Sequence, residues 1–152
     1  MSARRNQTEG VEQAAVIAWA QSKLRDWPEL KFLFHTPNGG ARNVVVAGQL
    51  KAMGVKRGVP DLLLPLVCWI YKDDAGVVGG VKHVRNGLAV EMKSDTGALT
   101  PEQKEWFAHL TAQGWVCTVA RSAEEAITAL ASYLAGDFDK IPRAEVPSTT
   151  AN

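Results

Sequence analysis

Gly58-Val59-Pro60-Asp61-Leu62-Leu63-Leu64 and Leu88-Ala89-Val90-Glu91-Met92-Lys93 decide the reading of this chain. An acid opens the first apolar run. An acid and a lysine alternate along the second. Strand side chains alternate faces, so residues two apart point the same way. Leu88, Val90 and Met92 then fill a core, while Ala89, Glu91 and Lys93 share the opposite face. Carboxylates from both strands beside an ammonium make a site able to hold a hard divalent cation and bind an anionic substrate. Taken singly, each residue has an ordinary explanation. Asp61 after Pro60 suits a turn. A same-face Glu91/Lys93 pair on an exposed strand contributes only about a few tenths of a kcal/mol. The weight comes from finding all three together, on short strands within a run of apolar segments.

Working outward, a helix is expected from Thr8 to about Arg25, ended by Trp27-Pro28 because the residue before proline avoids helix. Leu30 to His35 reads as extended, and Thr36-Pro37-Asn38-Gly39-Gly40 as a turn. A second helix is expected from Ala41 to Met53, stopped by Gly54. Leu62 to Val67 reads as a buried strand. Cys68 to Arg85 reads as an extended hairpin or loop around Asp73-Asp74-Ala75-Gly76 and Gly79-Gly80. Then follow a strand over Leu88–Lys93, a helix over Thr100–Gln113, a strand over Trp115–Ala120 and a helix over Ser122–Leu134 capped by Ser122. The strands carrying Asp61 and Glu91 are expected to be antiparallel neighbours, and the last four elements to form a crossover with a parallel pair. Residues 1–8 are expected to be a flexible start and 9–134 the folded domain. The stretch 135–152 is expected to be a polar tail, disordered unless it docks on a partner.

Further candidates lie on the flanks. Glu12 shares a helix stripe with Val16 and Trp19, so it is expected to point inward, where a carboxylate is costly without a partner or cation. The alternative places it in the first turn, favouring the helix dipole. Gln103 belongs to Thr100-Pro101-Glu102-Gln103, a capping box with proline at the first helical position, and can also face the site. Asn38-Gly39-Gly40 offers backbone N–H groups for a phosphate, or a plain glycine turn. Arg42, Lys51, Lys56 and Arg57 form a local basic group, alternatively a solvated helix end.

The chain has 152 residues, of which 46% are hydrophobic, with five Trp and four Phe, enough for one domain with a sizeable core. A formal net charge of +1 gives no global argument for nucleic acid, so any such contact needs locally clustered cations. No apolar run reaches membrane-spanning length, and no signal-peptide core follows Met1; a cytoplasmic location is expected. Cys68 and Cys117 lack ligand spacing and are expected to be buried free thiols.

Beyond the short signature, longer strings match. Glu12-Gln13 lies in the first helix, followed by Pro37-Asn38-Gly39-Gly40-Ala41-Arg42. Then come Leu50-Lys51-Ala52-Met53-Gly54-Val55-Lys56-Arg57-Gly58-Val59-Pro60-Asp61, Gly87 through Lys93, and Leu99 through Lys104. Over roughly residues 9–134 this resembles the VRR-NUC family, the virus-type replication-repair nucleases of the PD-(D/E)xK superfamily, in their stand-alone phage and bacterial form. The stretch Cys68–Asn86 departs from it, being longer than the connection expected there. The resemblance implies an α/β, restriction-endonuclease-like core, a mixed sheet flanked by helices. It implies Mg²⁺- or Mn²⁺-dependent cleavage of DNA in a bacterial or phage setting. It also implies a homodimer that resolves four-way (Holliday) junctions, whereas larger relatives cut flaps. In that reading Asp61, Glu91 and the Met92 backbone carbonyl hold the metal, and Glu12 completes the cluster directly or through water. Lys93 orients the attacking water or stabilises charge building on the phosphate, Gln103 supports Lys93 or the water, and Asn38, Gly39, Arg42, Lys51, Lys56 and Arg57 meet the DNA. Other readings are a flap- or restriction-type nuclease, an inactive DNA-binding module, and a scaffold domain.

Overall fold

The computed structural model describes residues 2–37, 44–71 and 81–145. Asn38, Gly39 and Arg42, residues 72–80 and the last residues from 146 lie outside them. Helix α1 spans Ser2–Ser22, starting ahead of Thr8 and including most of the segment expected to be flexible. A 3-10 turn, Pro28–Phe32, leads into a short strand β1, Phe34–His35, so only the end of the expected extended segment is a strand. Helix α2 is Val44–Ala52 and strand β2 is Leu62–Leu64. Pro65 stops β2 well short of Val67, because proline cannot donate to a ladder. A hairpin follows, β3 Cys68–Tyr71 and β4 Val81–Arg85, then β5 Leu88–Met92. Helix α3, Pro101–Ala112, strand β6, Val116–Ala120, and helix α4, Ala123–Leu134, complete the order.

The sheet runs β1-β2-β5-β6. β2 is antiparallel to β5, and β5 is parallel to β6 across the α3 crossover. Leu62, Leu64, Leu88, Val90 and Met92 face α1 and α4, joining Val16, Ala20, Leu130 and Tyr133 in the main core. Ala89 and Cys117 face α3 and pack on Phe107. Both faces of β5 are therefore covered, and Glu91 is only 2% exposed. The chain does not leave the fold at residue 135. A second 3-10 turn, Phe138–Lys140, buries Phe138, and Ile141 follows it into the core. The polar residues around them hid this pair from a reading based on mean composition. Cys68 and Cys117 are free thiols.

A candidate active site at one end of the sheet

The register of β2 against β5 sets Leu62 opposite Val90, which brings the residue ahead of β2 to the far end of β5. There the Met92 N–H donates to Asp61 Oδ2 at 2.8 Å. The end of β1 holds the Asp61 backbone from the other side. Thr36 N–H donates to the Asp61 carbonyl at 2.9 Å, and Thr36 Oγ1 donates to the Pro60 carbonyl at 2.6 Å. His35 Nδ1 lies 3.1 Å from the same Asp61 carbonyl, which can only accept, so that ring nitrogen carries the hydrogen. Sequence reasoning overlooked His35 and Thr36. Their signal was a polar pair placed between an apolar segment and a glycine turn.

Glu91 points towards α3, as strand alternation requires. Its Oε1 accepts from Gln103 Nε2 and lies 3.1 Å from Lys93 Nζ. Gln103 also closes the expected capping box: its Oε1 accepts from Thr100 N–H at 2.9 Å while Thr100 Oγ1 accepts from Gln103 N–H at 3.3 Å. One side chain thus ends a helix and fixes the Glu91 carboxylate. Gln103 reaches Glu91 rather than Lys93. Glu91 Oε2 is buried without a hydrogen-bond partner among the described residues.

Burial pushes the Asp61 carboxyl above the ordinary carboxylate range. The Met92 N–H, Lys93 and His35 pull it back, and Glu9 adds to the rise. Glu91 is pushed up to about 8, by burial first and then by the neighbouring Asp61 charge, with Lys93 opposing. Two carboxylates held together away from water cannot both ionise without a proton or a cation between them.

Glu12 is placed elsewhere. Its Oε2 accepts from the Ala123 N–H at 2.6 Å, so it caps the start of α4, where N–H groups lack helical partners. Glu12 is half-buried on the stripe that carries Val16 and Trp19, and a helix terminus offsets the cost of that burial. Glu9, one turn earlier, is the α1 acid whose charge reaches Asp61, and its Oε1 accepts from Ser94 N–H at 3.0 Å. Among the described residues no three His, Cys, Asp or Glu converge as a ready ligand set. Lys51, Lys56 and Arg57 are exposed around the loop that leads into Asp61.

The sequence model of the VRR-NUC domain matches residues 3–124. The chain belongs to the VRR-NUC family. A solved structure of a VRR_NUC domain protein resembles it with a TM-score of 0.61 and 27% identity, over 84% of this chain and 88% of that one. Among curated proteins none matches. This VRR-NUC chain is accordingly a nuclease with DNA as its substrate, built on a mixed α/β core consistent with the restriction-endonuclease-like fold. No helix among the described residues is long and apolar enough to cross a membrane.

Proposed function

We propose that this VRR-NUC nuclease is a Mg²⁺- or Mn²⁺-dependent endonuclease of branched DNA, acting as a homodimer that resolves four-way junctions. The observation that carries the metal is Glu91 Oε2, a buried carboxylate oxygen that meets no hydrogen-bond donor among the described residues and stands beside the Asp61 carboxylate. Hard oxygen donors of this kind suit Mg²⁺, which keeps several of its own waters. Asp61 and Glu91 would hold the cation, with the Met92 carbonyl as a further oxygen. When bound, the cation supplies Lewis acidity at the phosphate and lowers the pKa of a bound water.

The chain's own residues do the rest. The Met92 N–H fixes the Asp61 carboxylate through Oδ2. Gln103 holds Glu91 in one rotamer, and Lys93, with 14% of its side chain exposed, brings an ammonium to the same spot. That ammonium orients the water or offsets charge building on the phosphate. Glu9, whose charge reaches Asp61, serves as the acid that α1 adds to the cluster. Lys51, Lys56 and Arg57, with Asn38, Gly39 and Arg42, contact phosphates and position the duplex without reading bases.

The junction preference rests on likeness to small stand-alone members of the family, and paired cuts need two sites related by a two-fold axis. Four-way, flap and linear DNA, incubated with Mg²⁺ or with EDTA, test the proposal. Paired nicks in the four-way substrate only with Mg²⁺ are expected. Equal cleavage in EDTA would remove the metal. Preference for flaps would move the enzyme to the flap-cutting class, and a monomer in sedimentation that still cuts junctions would remove the dimer.

A further inference from the structure

Among the described residues Met53 is the most exposed of the large apolar side chains, at 80%. A lone exposed apolar residue needs no explanation. Three features set this one apart. The first is rigidity. Gly54, at φ +91°, ends α2 with its N–H on the Lys51 carbonyl at 3.1 Å and the Val55 N–H on the Leu50 carbonyl at 2.9 Å. That pair of bonds is the Schellman arrangement, which locks the residue before the glycine at the tip.

The second is anchoring of the loop beyond it. Gly58 has φ +77°, and a Cβ there would stand 2.6 Å from the Glu102 backbone carbon, so only glycine lets the loop lie on the start of α3. The Trp106 indole N–H donates to the Arg57 carbonyl at 3.0 Å and pins it there. The neighbouring Gln103 reaches Glu91, so the tip and the catalytic carboxylates share one support. The third is surroundings. Met53 is flanked by exposed Lys51, Lys56 and Arg57, and Val55 beside it is 40% exposed.

An apolar tip among cations is ill suited to an apolar protein partner, whose surface would have to desolvate three charges. It fits a polyanion with apolar layers inside it. We propose that Met53 is a wedge that enters the base stack of branched or distorted DNA while Lys51, Lys56 and Arg57 hold the flanking phosphates. Methionine is unbranched and polarisable, and apolar residues of this kind unstack and kink DNA at base steps. Unstacking is cheapest where pairing is already interrupted, so the wedge favours branch points over plain duplex. The fixed loop adds selectivity because little order is lost on binding. This inference rests on the DNA nuclease reading above and names a determinant of substrate choice.

The test uses full-length protein carrying Lys93→Ala to block cleavage, with and without Met53→Ala. The DNA is a four-way junction with 2-aminopurine at the branch and a linear duplex of the same sequence. The protein with Met53 should raise 2-aminopurine fluorescence at the branch. Met53→Ala should abolish that rise and weaken junction binding on the order of tenfold, with linear binding unchanged and Met53→Leu restoring both. Unchanged fluorescence and affinity in Met53→Ala would overturn the wedge. So would an equal loss on both DNAs, or a change in sedimentation with no change in DNA binding. Rapid cleavage by Lys93→Ala would instead count against the catalytic assignment and leave the wedge standing.

Discussion

The two ends of the sheet are built on opposite terms. At the hairpin end, the buried Tyr133 hydroxyl lies between the carbonyls of Leu66 and Arg85, at 2.6 and 3.2 Å. Asn86 Nδ2 donates to the Gln113 carbonyl at 2.7 Å, and the Arg85 guanidinium lies 5.5 Å from the centre of the Phe138 ring. At the other end stand Asp61, Glu91 and Lys93. The buried polar side-chain atoms without a partner among the described residues, Glu91 Oε2 and Ser94 Oγ, both lie at that end. Satisfied polar groups hold a fold together, whereas an unsatisfied buried carboxylate costs stability and is retained where it serves chemistry. One strand pair thus links a stabilising pole to a reactive one.

The largest expected effect breaks the reactive pole alone. Asp61→Asn should lower DNA cleavage by about 10³-fold or more without lowering the melting temperature, since it removes a buried charge. Gel assays on branched DNA, with thermal melts of the same samples, check both halves. An active variant, or an inactive one that has unfolded, would dissolve the contrast between the poles.

The opposite substitution addresses the stabilising pole. Tyr133→Phe strips the hydroxyl from two backbone carbonyls and should cost about 1–3 kcal/mol in urea unfolding. Cleavage at temperatures well below melting should stay as in the parent. A fall in cleavage there without loss of stability would mean that the two ends are coupled.

The pH dependence of stability is the next effect in size. Without divalent ions, folded Glu91 keeps its proton up to about pH 8, whereas the unfolded chain releases it near 4.5. Over that range the folded state binds more protons, so stability falls as pH rises. Asp61, also shifted upward, acts in the same direction. Melting in EDTA should therefore occur at least about 3 °C higher at pH 5 than at pH 8.5, and Glu91→Gln should flatten the slope. A rise in melting temperature over the same range in the parent protein would contradict the burial argument.

The smallest effect separates two acids on one helix. Glu12→Gln weakens the cap of α4 and should cost about 0.5–1 kcal/mol with cleavage retained. Glu9→Gln should reduce cleavage instead. Reversed outcomes would return Glu12 to the site.

Much of this was legible in the sequence. Strand alternation placed Glu91 away from Leu88, Val90 and Met92, and the Thr100–Gln103 pattern named a capping box that exists. The antiparallel β2/β5 pair and the parallel β5/β6 pair followed from element order. What escaped was long-range. Glu9 and Glu12 sit on one helical face, and only the position of α4 decides which carboxylate meets a helix terminus. The role of the His35-Thr36 pair appears only once β1 lies beside β2. Phe138 and Ile141 stand among charged residues and look like tail until the second 3-10 turn sets them against Tyr133 and the main core.

The most direct test of the central claim, that Asp61 and Glu91 together hold a divalent cation, is calorimetric titration of Mn²⁺ into DNA-free protein at pH 8, for the parent and for Glu91→Gln. The parent should bind with proton release, seen as a heat that changes with the ionisation enthalpy of the buffer, and Glu91→Gln should lose both binding and that dependence. Equal affinity in the two proteins would show that the cation is held elsewhere.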